Sequence, residues 1–235
     1  PATGVVDYQY PAVMNPGQED KWLKATAIIP GDRAAVHHAL TGYMEEMPAD
    51  GRGTESRWKF STGTYAVGEE PMIHMDNSGS PFPAGGAIGF QMHYTPIGEE
   101  RWDQSRIGLV FAKEPVKHEI KTGGISTRDL RIPPHKGNHR EEATYHFRKE
   151  ATIYRFLPHM HVRGKSFRYE AIYPDGRREI LLDVPEYDFN WQLSYELEEP
   201  LLVPPGTKIR AIATFDNSEA NPANPDPNAT VRFGP

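Results

Sequence analysis

Apolar and polar residues alternate along this chain with a period of two over short stretches. Nowhere do they sustain the i, i+3, i+4, i+7 spacing of an amphipathic helix for three turns. The alternation predicts strands over 22–29, 34–43, 87–94, 106–112, 144–156, 167–173, 178–184, 191–197 and 208–215. Pro174-Asp175-Gly176 between two of these is turn chemistry and predicts a hairpin. A Pro/Gly turn also feeds a strand at Pro30-Gly31, at Pro83-Ala84-Gly85 and at Pro204-Pro205-Gly206. The strand after Pro83 reaches His93, and the strand after Pro204 carries Thr214 at the same offset, a hint of two similar domains. Many short strands with this punctuation predict an all-β chain of two antiparallel β-sandwich (jelly-roll) domains packed side by side. The polar run that begins at Glu114-Pro115 puts the expected boundary there, giving domains 1–114 and 115–235. The Asn/Pro stretch 217–228 is expected to be a long ordered loop or the start of a frayed end, because its prolines remove donors and restrict their neighbours.

Composition narrows the chemistry. Hydrophobic residues are 37% of the 235, enough for ordinary cores, and 22 prolines and 21 glycines are spread throughout. No apolar run approaches the roughly 20 residues that span a bilayer, and no N-terminal stretch reads as a signal peptide, so membrane insertion is not expected. Net charge is −6 and no Lys/Arg cluster forms a phosphate-tracking stripe, which argues against nucleic acid as a partner. Cysteine is absent, which removes disulfides, thiolate nucleophiles, iron–sulfur clusters and Cys-based zinc sites together. Metal chemistry would have to come from His, Met, Asp or Glu, so the ten histidines carry the information.

Pro158-His159-Met160-His161 is the strongest local signal. In the strand expected to carry them, His159 and His161 point to one face, close enough to chelate one ion. A pair of surface histidines is the plain alternative. His37-His38 are adjacent, so a regular strand would send them to opposite faces; only a bulge or strand end lets both reach one ion. His93 lies in the apolar strand Phe90-Gln91-Met92-His93-Tyr94, where a lone histidine is ordinarily a satisfied core residue. Gln91, two residues earlier, shares its face and is expected to support groups around a metal there. His74, His118, His135, His139 and His146 lie in polar or turn-rich contexts and are read as unrelated to a site.

At these residues the sequence resembles the copper type II, ascorbate-dependent monooxygenases, the family of peptidylglycine α-hydroxylating monooxygenase and dopamine β-monooxygenase, and especially their cysteine-poor bacterial relatives. Pro30-Gly31-Asp32-Arg33-Ala34-Ala35-Val36-His37-His38 resembles the family's strand ending in Val-His-His, and Phe90–Tyr94 its Gln-x-His-Tyr strand. Ile132-Pro133-Pro134 resembles its Ile-Pro-Pro-Gly turn, with His135 in place of the glycine. The run 154–165 resembles its His-x-His segment with the following Gly-Lys. These matches occur in family order across nearly the whole chain. The resemblance implies two jelly rolls and two copper ions, one per domain. His37, His38 and His93 would hold an electron-relaying copper. His159 and His161 would be the catalytic ligands of an oxygen-activating copper completed by a methionine. It also implies an ascorbate-like reductant, a small-molecule substrate with O2, and a secreted or periplasmic setting with a possible fused or partner redox domain.

Two departures qualify what carries over. No methionine follows Met160, so the third ligand of the oxygen site is expected on a continuation of the polypeptide past Pro235. The family's carboxylate-gripping arginine, two residues before the first His of His-x-His, is Leu157 here, so the resemblance does not extend to a glycine-extended peptide substrate. Beside monooxygenation of an activated C–H bond stand two other readings. One is a non-catalytic copper-binding or electron-transfer module of a larger redox protein. The other is a plain β-sandwich interaction module with incidental histidines.

Overall fold

The computed structural model describes residues 1–4, 6–66 and 71–233. Almost all of its regular structure is β, arranged as a sandwich fold in sheets that are antiparallel except for one short parallel pair, Ser78–Phe82 with His118–Glu119, and with one short 3-10 turn at Glu55–Arg57. The chain divides into two compact units, Pro1–Thr122 and Gly123–Pro235. The division thus falls beyond Glu114-Pro115. Residues 117–120 belong with the first unit because Lys117 and His118 donate to the Asn77 carbonyl and Ile120 donates to the Gly79 carbonyl.

The first unit contains β1 (Ala12–Met14), β2 (Lys21–Ile29), β3 (Val36–Met44), β4 (Phe60–Ala66), β5 (Met72–Ile73), β6 (Ser78–Phe82), β7 (Ala87–Tyr94), β8 (Arg106–Phe111) and β9 (His118–Glu119). One sheet runs β1-β7-β3-β4; the other runs β5-β2-β6-β9, with β8 also paired to β2. Leu23 and Ile28 of β2 and Phe82 of β6 meet Val36, Ala39 and Tyr43 of β3 and Ile88, Phe90 and Met92 of β7 in one apolar core. Alternation along β7 therefore turns Gly89, Gln91 and His93 to the face away from that core.

The second unit contains β10 (Arg131–Ile132), β11 (His139–His146), β12 (Ala151–Phe156), β13 (Gly164–Ile172), β14 (Arg178–Val184), β15 (Tyr195–Val203), β16 (Lys208–Phe215) and β17 (Val231–Arg232). Its sheets are β11-β16-β13-β14 and the pairs β12-β15 and β10-β17. Phe156, Met160, Phe167, Tyr169, Ala171, Tyr173, Val203, Ile209 and Ala211 form its core. The hairpin at Pro174-Asp175-Gly176 is present, with Gly176 at φ 89°. Two expected strands differ from the observed ones. The stretch 144–156 is two strands, because the charged run Arg148-Lys149-Glu150 ends the alternation between β11 and β12. The strand expected over 191–197 starts only at Tyr195 and continues past Pro200, where the register against β12 slips and the missing N–H costs no ladder bond.

Candidate functional site

His37 and His38 open β3, and there the ladder to β7 slips: Val36 pairs with Tyr94, and His38 already pairs with His93. His37 is the extra residue of that bulge, which lets two adjacent side chains lie on one side of the sheet. His38 and His93 are direct cross-strand neighbours on the face away from the core. The His38 Nδ1 lies 3.2 Å from the Nδ1 of His37 and 3.2 Å from the Nδ1 of His93. Among the described residues this is the group of three metal-ligating side chains whose donor atoms converge, all within 4.8 Å. A single Nδ1 carries one hydrogen or one in-plane lone pair, so His38 cannot form two linear hydrogen bonds to both neighbours. A metal ion could accept a lone pair from each of the three. With metal–imidazole bonds of about 2.0 Å, tetrahedral angles set neighbouring donors about 3.3 Å apart, and both spacings from His38 fit.

Burial first, and then the charge of His37, hold the His93 imidazole below its ordinary range, favouring the neutral form whose lone pair can bind metal. Tyr8 was not foreseen from the sequence. Its ring lies 4.9 Å from His93 and 5.9 Å from His38, centroid to centroid. Burial, reinforced by Tyr10 and Glu55, pushes its phenol up, so it packs on the imidazoles as a neutral ring. What places it there is a distant bridge: Gln9 exchanges both backbone hydrogen bonds with Met92, at 3.0 and 2.8 Å.

The non-core face of this sheet is roofed by the 53–58 segment at a distance only glycine allows. A Cβ on Gly53 would stand 2.3 Å from the Gly89 Cα, and one on Gly42 would stand 2.1 Å from the Trp58 ring. Trp58 Nε1 ties the roof down by donating to the Gly53 carbonyl at 2.8 Å. The turn before His37 is fixed by Asp103, whose carboxylate accepts from the Asp32 N–H, the Tyr94 hydroxyl and both the N–H and hydroxyl of Ser105.

His159 and His161 follow the end of β12 rather than lying in a strand, which corrects the expectation of a His-x-His strand. Pro158 lacks an N–H, and Met160 takes its backbone partner from a side chain. The Tyr187 hydroxyl accepts from the Met160 N–H at 2.9 Å and donates to its carbonyl at 2.8 Å. The stretch nevertheless keeps a strand's alternation: Pro158 and Met160 are buried, and His159 and His161 are exposed on the other side. Their rings are 5.2 Å apart, nearly perpendicular. The Met160 thioether is packed in the core, only 4% exposed, so it faces away from the two imidazoles. Beyond His161 the chain is clamped by the 216–226 loop. Asp216 N–H donates to the Arg163 carbonyl, Asn221 donates to the Val162 carbonyl, and Arg163 donates to the fully buried Asn217 and to the Asp226 carbonyl. The stretch 217–228 is therefore an ordered loop held by side-chain amides.

Gln91 shares the face of His93 on β7, as alternation requires. An amide in hydrogen-bond contact with a candidate ligand is Gln192 in the other unit, whose Oε1 is 2.5 Å from His159 Nδ1. Of the histidines set aside, His74 is buried against the Ser80 hydroxyl and His139 pairs with Glu141 at 2.8 Å. His118 and His146 are exposed, and His135 sits in a turn at φ 54°. No protein-family model matches this sequence, and no curated protein matches it.

Proposed function

We propose that the chain is a copper-binding redox core that hydroxylates an activated C–H bond of a small substrate. The observation that carries the reading is the bulge at His37–His38, which gathers three imidazole nitrogens at metal-coordination spacing with no thiolate in the chain. An all-nitrogen set serves both copper oxidation states. The first unit's histidines would hold the ion that passes single electrons, and His159 with His161 would hold the one beside which O2 is used. Copper when bound would supply the one-electron steps. One oxygen atom enters the C–H bond and the other leaves as water, with two electrons and two protons drawn from an ascorbate-like reductant. The chain's own part is orientation: β3 and β7 fix the first trio, and Tyr187 and Gln192 hold the second pair.

A non-catalytic copper or electron-transfer module is the second reading, favoured by the inward turn of the Met160 thioether, which leaves the second pair without a sulfur ligand from its own stretch. Copper stoichiometry and oxygen consumption separate these. Replacing His93 with Ala is expected to remove one copper equivalent from the purified chain; an unchanged stoichiometry rejects the first site. Ascorbate-dependent oxygen consumption that is lost in His159→Ala supports monooxygenation, and full copper loading without oxygen consumption supports the module.

A further inference from the structure

Gln192 is 6% exposed, and its amide is held at both ends. Its Nε2 donates to the Phe189 carbonyl at 2.8 Å, and its Oε1 faces His159 Nδ1 at 2.5 Å. The orientation is set by chemistry. A carbonyl oxygen only accepts, so the –NH2 end must face Phe189, and the oxygen is left for the imidazole. That oxygen is also only an acceptor, so the His159 Nδ1 must carry the hydrogen. From this we infer that Gln192 is a positioning residue that locks His159 in its Nδ1–H tautomer and presents Nε2 as the electron-pair donor.

The turn that carries Gln192 is built to hold it. Asp188 accepts from the Asn190 N–H through its carboxylate at 2.8 Å and from the Trp191 N–H through its carbonyl at 3.0 Å. The same segment begins with Tyr187, whose hydroxyl grips both backbone groups of Met160. Residues 187–192 thus fix the backbone between the two histidines and the ring of the first. An amide or carboxylate on the far nitrogen of a metal-binding histidine sets its tautomer and ring orientation, and removing one typically costs about 10–100-fold in metal affinity.

The tautomer is a property of the metal-free chain. The idea that Nε2 then receives copper rests on the function proposed above, and the experiment keeps the two apart. Ring-nitrogen NMR of the 235-residue chain without metal, compared among wild type, Gln192→Leu and Gln192→Glu, reads the tautomer directly. Anaerobic titration with copper(I) alone reads the affinity. Wild type is expected to show a protonated Nδ1 on His159. Gln192→Leu should lose that preference and bind copper(I) at His159 about 10–100-fold more weakly. Gln192→Glu still accepts from Nδ1–H but cannot donate to the Phe189 carbonyl, so it should restore the tautomer and only part of the copper(I) affinity. A hydrogen on Nε2 in wild type, or an unchanged tautomer in Gln192→Leu, overturns the inference. A locked Nδ1–H tautomer in a chain that takes up no copper at His159 overturns the copper reading and upholds the role of Gln192 on the ring.

Discussion

His37, His38 and His93 hang from paired strands, and their separations are set by a backbone ladder with one slip in it. His159 and His161 hang from a stretch that has left its sheet, and side chains supply what the ladder would have: Tyr187 for the backbone of Met160, Gln192 for the ring of His159, and Asn221 for the Val162 carbonyl. The first set is buried or half-buried, whereas the second is exposed. A ladder fixes positions through many small bonds and fails when the backbone is forced apart. A loop held by a few side-chain contacts fails when one of those contacts is deleted. The two sets should therefore be sensitive to different substitutions.

The largest effect is expected where the 53–58 segment closes on the sheet that carries the first set. In Gly53→Ala the new Cβ meets the Gly89 Cα at 2.3 Å and the Pro11 carbonyl oxygen at 2.7 Å, both backbone atoms that cannot rotate away. Lifting the segment from the sheet should cost about 3 kcal/mol, seen as a lower denaturant midpoint for the first unit, together with a weaker copper titration at His37–His38–His93 through the shared strands. An unchanged titration there would show that the ladder alone is sufficient. In the second unit the corresponding test is a deletion. Tyr187→Phe strips both partners from the buried Met160 backbone, at a cost of about 2–3 kcal/mol. The His159–His161 pair should loosen while copper titration at the first set is unchanged. If Tyr187→Phe leaves the second set's copper(I) affinity unchanged, the alternation of buried and exposed residues holds the pair without the hydroxyl.

Residue spacing made part of this legible. Adjacent histidines can share an ion only at a bulge or a strand end, and His37–His38 lie at a bulge at the start of β3. The alternation across Pro158–His161 was also legible, although the strand expected to carry it is absent, because side-chain hydrogen bonds preserve an extended backbone outside any sheet. The all-β sandwich followed from period-two patterning, and Ala87–Tyr94, Arg178–Val184 and Lys208–Phe215 have the bounds that patterning gave. What local spacing could not supply were partners brought from far along the chain. Tyr8 reaches His93 through a bridge spanning most of the first unit, and Gln192 reaches His159 from beyond a hairpin. Gln91 was chosen by its position two residues from a histidine, and spacing of that kind reports a shared face.

A smaller and pH-dependent effect is expected at Asp103, which pins the turn before His37. Burial raises its carboxyl, but hydrogen bonds from Ser105, Tyr94 and the Asp32 N–H outweigh it and hold the group below the usual carboxylate range. The folded state binds the proton more weakly than the unfolded chain. The stabilisation is therefore present above about pH 4 and lost as pH falls through the lowered folded value. In Asp103→Asn the chain should be less stable at neutral pH by about 1 kcal/mol, after allowing for solvent screening at a half-buried position. The difference from wild type should shrink toward pH 3 or so. Denaturant midpoints at the two pH values measure it, and a constant gap would show that charge on Asp103 contributes nothing.

The smallest effect, of opposite sign, tests whether the irregular backbone around the loop-held pair carries strain. His135 has φ 54°, in the left-handed region where a Cβ is crowded, and the position is exposed. Its N–H donates to the Pro227 carbonyl, and the next residue's carbonyl accepts from the Asn217 N–H. Asn217 in turn grips Arg163, two residues past His161. Replacing His135 with Gly removes a crowding cost of about 1 kcal/mol, and the extra freedom of glycine in the unfolded chain returns about half of that. The ring's approach to Glu219, at 3.8 Å between exposed groups, adds little. A net gain of about 0.5 kcal/mol should raise the melting temperature of the second unit by about 2–4 °C. His135→Ala keeps the Cβ and loses only the ring, so it should bring no gain. Equal stabilisation by Ala and Gly would place the cost in the imidazole rather than the backbone, and a loss with Gly would mean that the His135 ring secures the loop through Glu219.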